Sequence, residues 1–136
     1  MAVKSRVVLF ALIRNNKVLI EKRPIKGFNK PQYLIPGGAI NPLESLDQAL
    51  RRELMEELGI IPIEYLLLTK EDLPGLYGNI LKPFVVNKWQ GQIPKFIMDK
   101  EDPYPLEWIE IEKALKTTIP TTKKIFELLS QYTTTI

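Results

Sequence analysis

Apolar positions fall along this chain with two different periods. Val7-Val8-Leu9-Phe10-Ala11-Leu12-Ile13 is an almost unbroken apolar run, and Lys17-Val18-Leu19-Ile20-Glu21-Lys22 is a second, with Asn15-Asn16 between them. Short runs of this kind predict strands, and the paired asparagines predict a tight hairpin turn. Residues 24–32, PIKGFNKPQ, contain two prolines, a glycine and two lysines. They predict a loop that leads into Tyr33-Leu34-Ile35 and then into Pro36-Gly37-Gly38. Further strands are expected over Ile63–Thr69, Leu81–Val86 and Leu106–Ile111. Pro83 lacks an N–H to donate, which points to an edge or a bulge for the second of these. Trp89-Gln90-Gly91 reads as a turn.

The helical period is clearest after residue 45. Ser45-Leu46-Asp47-Gln48 has the S-x-x-Q form of a capping box, so a helix should start at Ser45, and Gly59 suits the position just past its end. Leu46, Leu50, Leu54 and Leu58 recur every four residues and form one apolar stripe. A short helix is expected near Glu112–Lys116. A final one is expected with Thr121 or Thr122 as cap and Ile125, Leu128, Leu129 and Tyr132 on its buried face. No repeat, linker or low-complexity segment interrupts the pattern. Strands mixed with a few helices predict an α/β domain over 1–136, a sheet covered on both faces.

Next to the leucine stripe, Glu53, Glu56 and Glu57 stand at i, i+3 and i+4, within roughly a 100° arc and one turn of rise. Such a ridge is ordinarily a solvated face. Here like charges at this spacing repel by a few tenths of a kcal/mol per pair, and only Arg51 and Arg52 are near enough to offset them. Residues 44–59 carry a net charge of −3, whereas the whole chain is +3. An acidic focus inside a basic protein points to a cation site that faces an anionic ligand.

Composition narrows the chemistry. The chain has no cysteine and no histidine, which excludes thiol nucleophiles, disulfides, Ser-His-Asp machinery and the usual zinc sites. A metal here has to be held by oxygen, which suits Mg2+ or Mn2+. No apolar run reaches the length of a membrane span, and the N-terminal stretch is too short for a signal peptide, so a cytoplasmic protein is expected. The mild, scattered positive charge argues against a nucleic-acid polymer as partner.

The run from Gly38 to Ile60, GAINPLESLDQALRRELMEELGI, has the spacing G-x5-E-x7-R-E-U-x-E-E-x-G-U, with U apolar. Its chance occurrence in a chain of this length is below about one in ten million at average residue usage. The string resembles the signature of the Nudix hydrolases, which cleave a nucleoside diphosphate linked to another group, and it departs from that signature nowhere. Val18 to Pro24, Tyr33 to Gly38, Trp89-Gln90-Gly91 and Glu107-Trp108 extend the likeness to MutT-like members over nearly the whole chain. The resemblance implies an α/β/α sandwich with a mixed sheet between helices.

It further implies a role for each matching position. Glu53, Glu56 and Glu57, with the carbonyl of Gly37 or Gly38, would hold the divalent cations, Glu53 alternatively serving as base. Arg52 would orient Glu53 or a neighbouring glutamate by a bidentate contact. Glu44 would support the junction of loop and helix, and Gly59 the helix end. An acid before the last strand would reach the metals: Glu101 aligns best, with Asp99 or Asp102 as substitutes. Arg23, with Lys22 beside it, is placed to meet phosphate oxygens, and Phe28 and Tyr33 to pack on a base.

The substrate class implied is a nucleoside triphosphate, normal or modified, cleaved to the monophosphate and pyrophosphate. Where the family carries a purine-reading asparagine this chain has Thr121-Thr122, and a hydroxyl cannot make the paired contacts of an amide. Tyr77 lies near a spacing that marks diadenosine polyphosphate hydrolases, and Pro74 near one that marks ADP-ribose hydrolases. A non-catalytic binding module is the remaining alternative. Such modules have lost glutamates of the signature that this chain retains. Monomer and homodimer are both open.

Overall fold

The computed structural model describes residues 4–98, 100–117 and 119–135. β1 (Arg6–Arg14) and β2 (Lys17–Arg23) form the expected hairpin. Asn15 and Asn16 turn it with φ of 52° and 61°, the left-handed pair that a two-residue turn needs and asparagine tolerates. The order β3 (Gln32–Leu34), β2, β1, β7 (Ile80–Gln90), β5 (Ile61–Leu67) runs across the sheet. Three short partners complete it: β4 (Gly37–Ala39) on β1, β6 (Leu73–Pro74) on β7 and β8 (Leu106–Glu110) on β2. β1 runs parallel to β7, and the other pairings are antiparallel.

The apolar runs are long because β1 is covered on both faces. Its even positions, Val8, Phe10 and Leu12, pack with Leu50, Leu54 and Leu58 of α1 (Leu46–Leu58). Its odd positions, Leu9, Ala11 and Ile13, pack with Ile111 and Ala114 of α2 (Ile111–Ala114) and with Ile125, Phe126 and Leu129 of α3 (Pro120–Thr135). The result is the α/β sandwich expected from the alternation of elements.

Both ends of α1 are built as its sequence predicts. The Gln48 N–H donates to Ser45 Oγ at 3.1 Å and the Ser45 N–H to Gln48 Oε1 at 2.9 Å. Gly59 stops the helix in the left-handed region, φ 67°, its N–H reaching the Leu54 and Met55 carbonyls. α3 differs from expectation. It begins at Pro120, whose fixed φ and missing N–H suit a first helical position, so Thr121 and Thr122 lie inside the first turn instead of capping it.

Pro83 is the main correction. β7 is an interior strand, and Pro83 pairs in register with Leu9. The Pro83 carbonyl accepts the Leu68 N–H at 2.8 Å. Within a strand the N–H and C=O of one residue face the same neighbour, so the absent donor faces β5, where that strand has ended at Leu67 and β6 has not begun. The irregular register lies in β5 instead, between Pro62 and Tyr65. Trp89 and Gln90 likewise belong to β7, and the chain turns only at Gly91, φ 115°.

β1 and β2 stay paired only near their hairpin, at Ile13–Val18 and Arg14–Lys17. Towards its start β1 exchanges β2 for β4, pairing Val7, Val8 and Leu9 with Ala39, Gly38 and Gly37. The two strands therefore part, and a cleft opens between them beside the glycines. Leading from β4 into α1, the fully exposed Leu43 has φ 67°, which costs an ordinary side chain roughly 1–2 kcal/mol. Leu43→Asn should raise the unfolding free energy by about 0.5–1 kcal/mol, because asparagine enters this region at lower cost. Urea denaturation of the two proteins measures this, and an unchanged midpoint would show that the loop stores no such strain.

Candidate functional site

Three of the sequence-predicted residues meet where α1 crosses β4. Glu53 is 7% exposed and Glu57 2%, whereas Glu56 lies on the exposed flank of the same ridge. Gly38 is needed here for space: a Cβ on it would overlap the Glu53 carboxylate, and one on Gly37 would overlap the Val8 carbonyl. The strand backbone and the helix carboxylate thus approach as closely as only glycine allows.

Arg52 holds this junction together. Its Nε and Nη2 grip Glu44 at 2.7 and 2.8 Å, Nη2 also donates to the Ala39 carbonyl at 2.9 Å, and Nη1 donates to Glu53 at 2.8 Å and Glu56 at 3.2 Å. The bidentate grip falls on Glu44, and the contact to Glu53 is single. Glu44 also accepts the Asn41 N–H at 2.9 Å. The Arg52 guanidinium, helped by that N–H, holds the Glu44 carboxyl well below its ordinary value of 4.5, at about 2. Its negative partners raise the Arg52 pKa in turn.

The loop before β8 reaches the same place with a cation. Phe96 bridges Pro105 to close its neck, and the Met98 N–H donates to the Glu57 carbonyl at 2.9 Å. Lys100 Nζ then lies 3.9 Å from Glu57 Oε1. Glu101 and Asp102 are exposed, and Asp99 lies outside the described residues. Among the described residues no three acids converge into a chelating cluster: Arg52 ties Glu53 and Glu56, and Lys100 faces Glu57. The donors still fit a hard divalent cation. They are all oxygen, they share one helical ridge, and Lys100 already sets a positive charge against Glu57.

The cleft between β1 and β2 widens into a cavity of about 180 Å3 next to these groups. Arg23, Gly37, Tyr77, Lys100, Thr121 and Thr122 line it. Arg23 also lies over the Tyr104 ring, 5.5 Å from its centroid. Tyr77 is 74% exposed at the mouth. Tyr33 and Phe28 are not on this lining: Tyr33 packs against the core beneath α3, and Phe28 is half-buried in the loop after β2. A larger depression, about 650 Å3, surrounds Arg14, Asn16 and Trp89 at the hairpin end, but no acid among the described residues lines it.

Sequence reasoning missed Glu21 and Lys100. Glu21 lines the cavity yet is only 3% exposed. The signal was available, since an acid inside Val18-Leu19-Ile20-Glu21 shares the strand face of Leu19. Lys100 stands among three acids in sequence, and only the folded loop shows that the lysine is the group turned to the helix.

Two tests follow from this geometry. Gly38→Ala should displace the Glu53 carboxylate and lower turnover about a hundredfold, the usual effect of a misplacement of roughly 1 Å, with thermal melting used to confirm the fold. A variant of normal rate would show that Glu53 need not sit against β4. The second concerns acid. The Glu44 contribution is complete above pH 4.5 and is lost as pH falls through about 2. Urea unfolding followed across that window should weaken in the natural chain and flatten in Glu44→Gln. An identical acid limb in both would assign the sensitivity to another carboxyl.

Comparison with known proteins agrees with this geometry. The family model described as NUDIX domain matches residues 4–129. An 8-oxo-dGTP diphosphatase of Proteus vulgaris is 34% identical over 82 residues, 59% of this chain and 72% of the relative. The one from Escherichia coli strain K12 is 32% identical over 92 residues, 65% and 71% respectively. The solution structure of the E. coli ORF135 protein superposes with TM-score 0.72 at 28% identity, covering 94% of this chain and 89% of that one. A MutT NUDIX hydrolase from Burkholderia pseudomallei shares the fold at TM-score 0.73 and 21% identity, covering 93% and 98%. With its signature helix set against the strand glycines and a family match over almost its whole length, the chain belongs to the Nudix family as a MutT-like hydrolase.

Proposed function

We propose that this chain is a Mg2+- or Mn2+-dependent pyrophosphohydrolase that cleaves a nucleoside triphosphate, normal or modified, to the monophosphate and pyrophosphate. The observation that carries the reading is the pair of buried carboxylates, Glu53 and Glu57, set against Gly38 beside a cavity of base-like size. Relatives named 8-oxo-dGTP diphosphatase support the nucleotide class. At about 180 Å3 the cavity is smaller than the roughly 300–1,000 Å3 that encloses a whole ligand. It suits one end of a nucleotide whose phosphates extend towards α1. The chain is read as one domain acting on small molecules in the cytoplasm, and among its described residues no helix is long and apolar enough to cross a membrane.

In this reading Glu53, Glu56 and Glu57, with the Gly37 or Gly38 carbonyl, would hold the cation, which would supply positive charge against the diphosphate oxygens and the attacking water. Arg52 keeps Glu53 in place through a contact of 2.8 Å and takes its own position from Glu44. Arg23, at the end of β2, meets phosphate oxygens at the mouth of the cavity. Water adds to one phosphorus, the bridging P–O bond breaks and pyrophosphate leaves. Glu53, or an acid of the 99–102 loop, takes the proton.

Tyr77 gives one specific reason to keep diadenosine polyphosphates as a second substrate class, since its exposed ring stands at the cavity mouth where a base could stack. Pro74 is exposed in β6 and off the cavity lining, so ADP-ribose gains nothing from it. Glu57→Gln removes one ligand charge with little change in shape and should reduce turnover at least about a hundredfold while the fold persists. The assay pairs it with the natural chain on nucleoside triphosphates, 8-oxo-dGTP, diadenosine polyphosphates and ADP-ribose with magnesium. Near-normal turnover in Glu57→Gln would remove the metal assignment, and preference for a dinucleotide would replace the triphosphate reading.

A further inference from the structure

Glu21 is a carboxylate in a place where a carboxylate is costly. It lies inside β2, registered between Leu34 of β3 and Leu106 of β8. Only 3% of the residue is exposed, and Oε2 accepts no hydrogen bond among the described residues. Oε1 is 4.0 Å from Arg23 Nη1, an ion pair beyond hydrogen-bond range. Burial pushes its pKa up, against the opposing pull of Lys100 and Arg23. The fold thus carries a desolvated acceptor that it does not satisfy, a cost of about 1–3 kcal/mol or more for a charged group.

A second acceptor in the same cavity is in the same condition. Asn79 lines the cavity, and its Oδ1 is buried with no hydrogen-bond partner among the described residues. The rest of the wall is mixed: Arg23 and Lys100 bring positive charge, and Leu34, Leu81, Thr121 and Ile125 are apolar or hydroxylic. Residues of a cavity wall whose buried acceptors lack donors are complementary, once those acceptors turn to a ligand, to an edge rich in N–H donors.

Among the common bases only guanine places two N–H donors side by side, N1–H and the 2-amino group. Adenine and cytosine set an amino group beside an acceptor nitrogen, and uracil and thymine set one N–H between two carbonyls. An ionised carboxylate has two acceptor oxygens and no donor, and so matches guanine's edge and mismatches the others. We propose that Glu21 is a specificity-determining residue of this enzyme, its carboxylate reading the N1–H and 2-amino edge of a guanine base seated in the cavity between β1 and β2. The assignment rests on the nucleotide reading above. It gives β2 the base-reading role that Thr121 and Thr122 cannot fill with hydroxyls. Oxidation at carbon 8 leaves this edge unchanged, so Glu21 separates guanine from other bases and not oxidised guanine from intact guanine.

Hypoxanthine keeps N1–H and lacks the 2-amino group, which makes it the discriminating probe. Calorimetric titration of the natural chain with GMP and IMP should show GMP bound about tenfold more tightly, the worth of one hydrogen bond to a charged group. The dGTP to dITP ratio of kcat/KM should show the same factor. In Glu21→Gln both ratios should fall to within about twofold of unity, because the new amide sets a donor against a donor. Equal binding of GMP and IMP by the natural chain, or binding of neither, would overturn the proposal without any variant having to fold. So would a Glu21→Gln protein that keeps the ratio while losing kcat on every nucleotide alike, since that pattern belongs to a residue acting on the phosphates. If no triphosphate is hydrolysed but GMP is preferred over IMP and Glu21→Gln abolishes that preference, the proposed reaction fails and the role of Glu21 stands.

Discussion

A single guanidinium joins the three pieces from which the centre of this protein is made. Arg52 reaches from α1 to the last carbonyl of β4, to Glu44 in the connecting loop, and to two glutamates of its own helix. Each contact answers a different physical demand. The Ala39 carbonyl needs a donor, the loop needs an anchor while it passes through a left-handed leucine, and crowded carboxylates need a counter-charge. An arginine can meet all of them because its donors are fixed in one plane and its charge does not titrate in the accessible range. A lysine would bring the charge without the fork. Contacts of this kind at an exposed helix surface contribute little. Here the geometry to Glu44 is bidentate and part-buried, and it ties the loop to the helix.

The cleft depends on a second constraint, the change of partner along β1. A strand covered on both faces usually has ladder partners on both edges, and β1 satisfies this by taking β2 at one end and β4 at the other. The exchange leaves β2 to diverge with β3 and β8 attached, and the space between becomes the cavity. Core and cavity are therefore made from one set of residues: Leu9 contributes to the apolar cluster beneath α3 and also lines the cavity wall. Gly37 and Gly38 hold their places because β4 must lie flat against β1 on one side and admit a carboxylate on the other.

Much of this is legible in the sequence alone. The signature helix has the capping box, the glycine stop and the leucine stripe that its residues predict, because each depends on spacing within a few positions. The hairpin at Asn15-Asn16 is local in the same sense. Residues whose surroundings depend on distant segments were not legible. Pro83 reads as an edge residue until one knows that β5 ends opposite it. Tyr33 resembles a stacking aromatic until the core under α3 takes it up. Lys100 becomes a partner of Glu57 only when the Met98 N–H fastens its loop to the end of α1. Thr121 and Thr122 read as caps because their residue type favours the N-cap, but Pro120 already supplies a helix start.

Pro83 has a consequence for how the sheet is assembled. β7 is the spine of its half of the sheet, with β1 on one flank and β5 and β6 on the other. Its apolar residues alone would tolerate several alignments, since Val85 and Val86 differ little in bulk. The proline does not tolerate them. Sliding β7 by one residue would turn Pro83 towards β1, at a rung where that strand's carbonyl waits for a donor that proline lacks. A slip of two residues towards β5 would put it opposite a continuous ladder. The missing N–H therefore acts as a key cut for one lock, admitting the single alignment in which the gap between β5 and β6 faces the one residue with nothing to give.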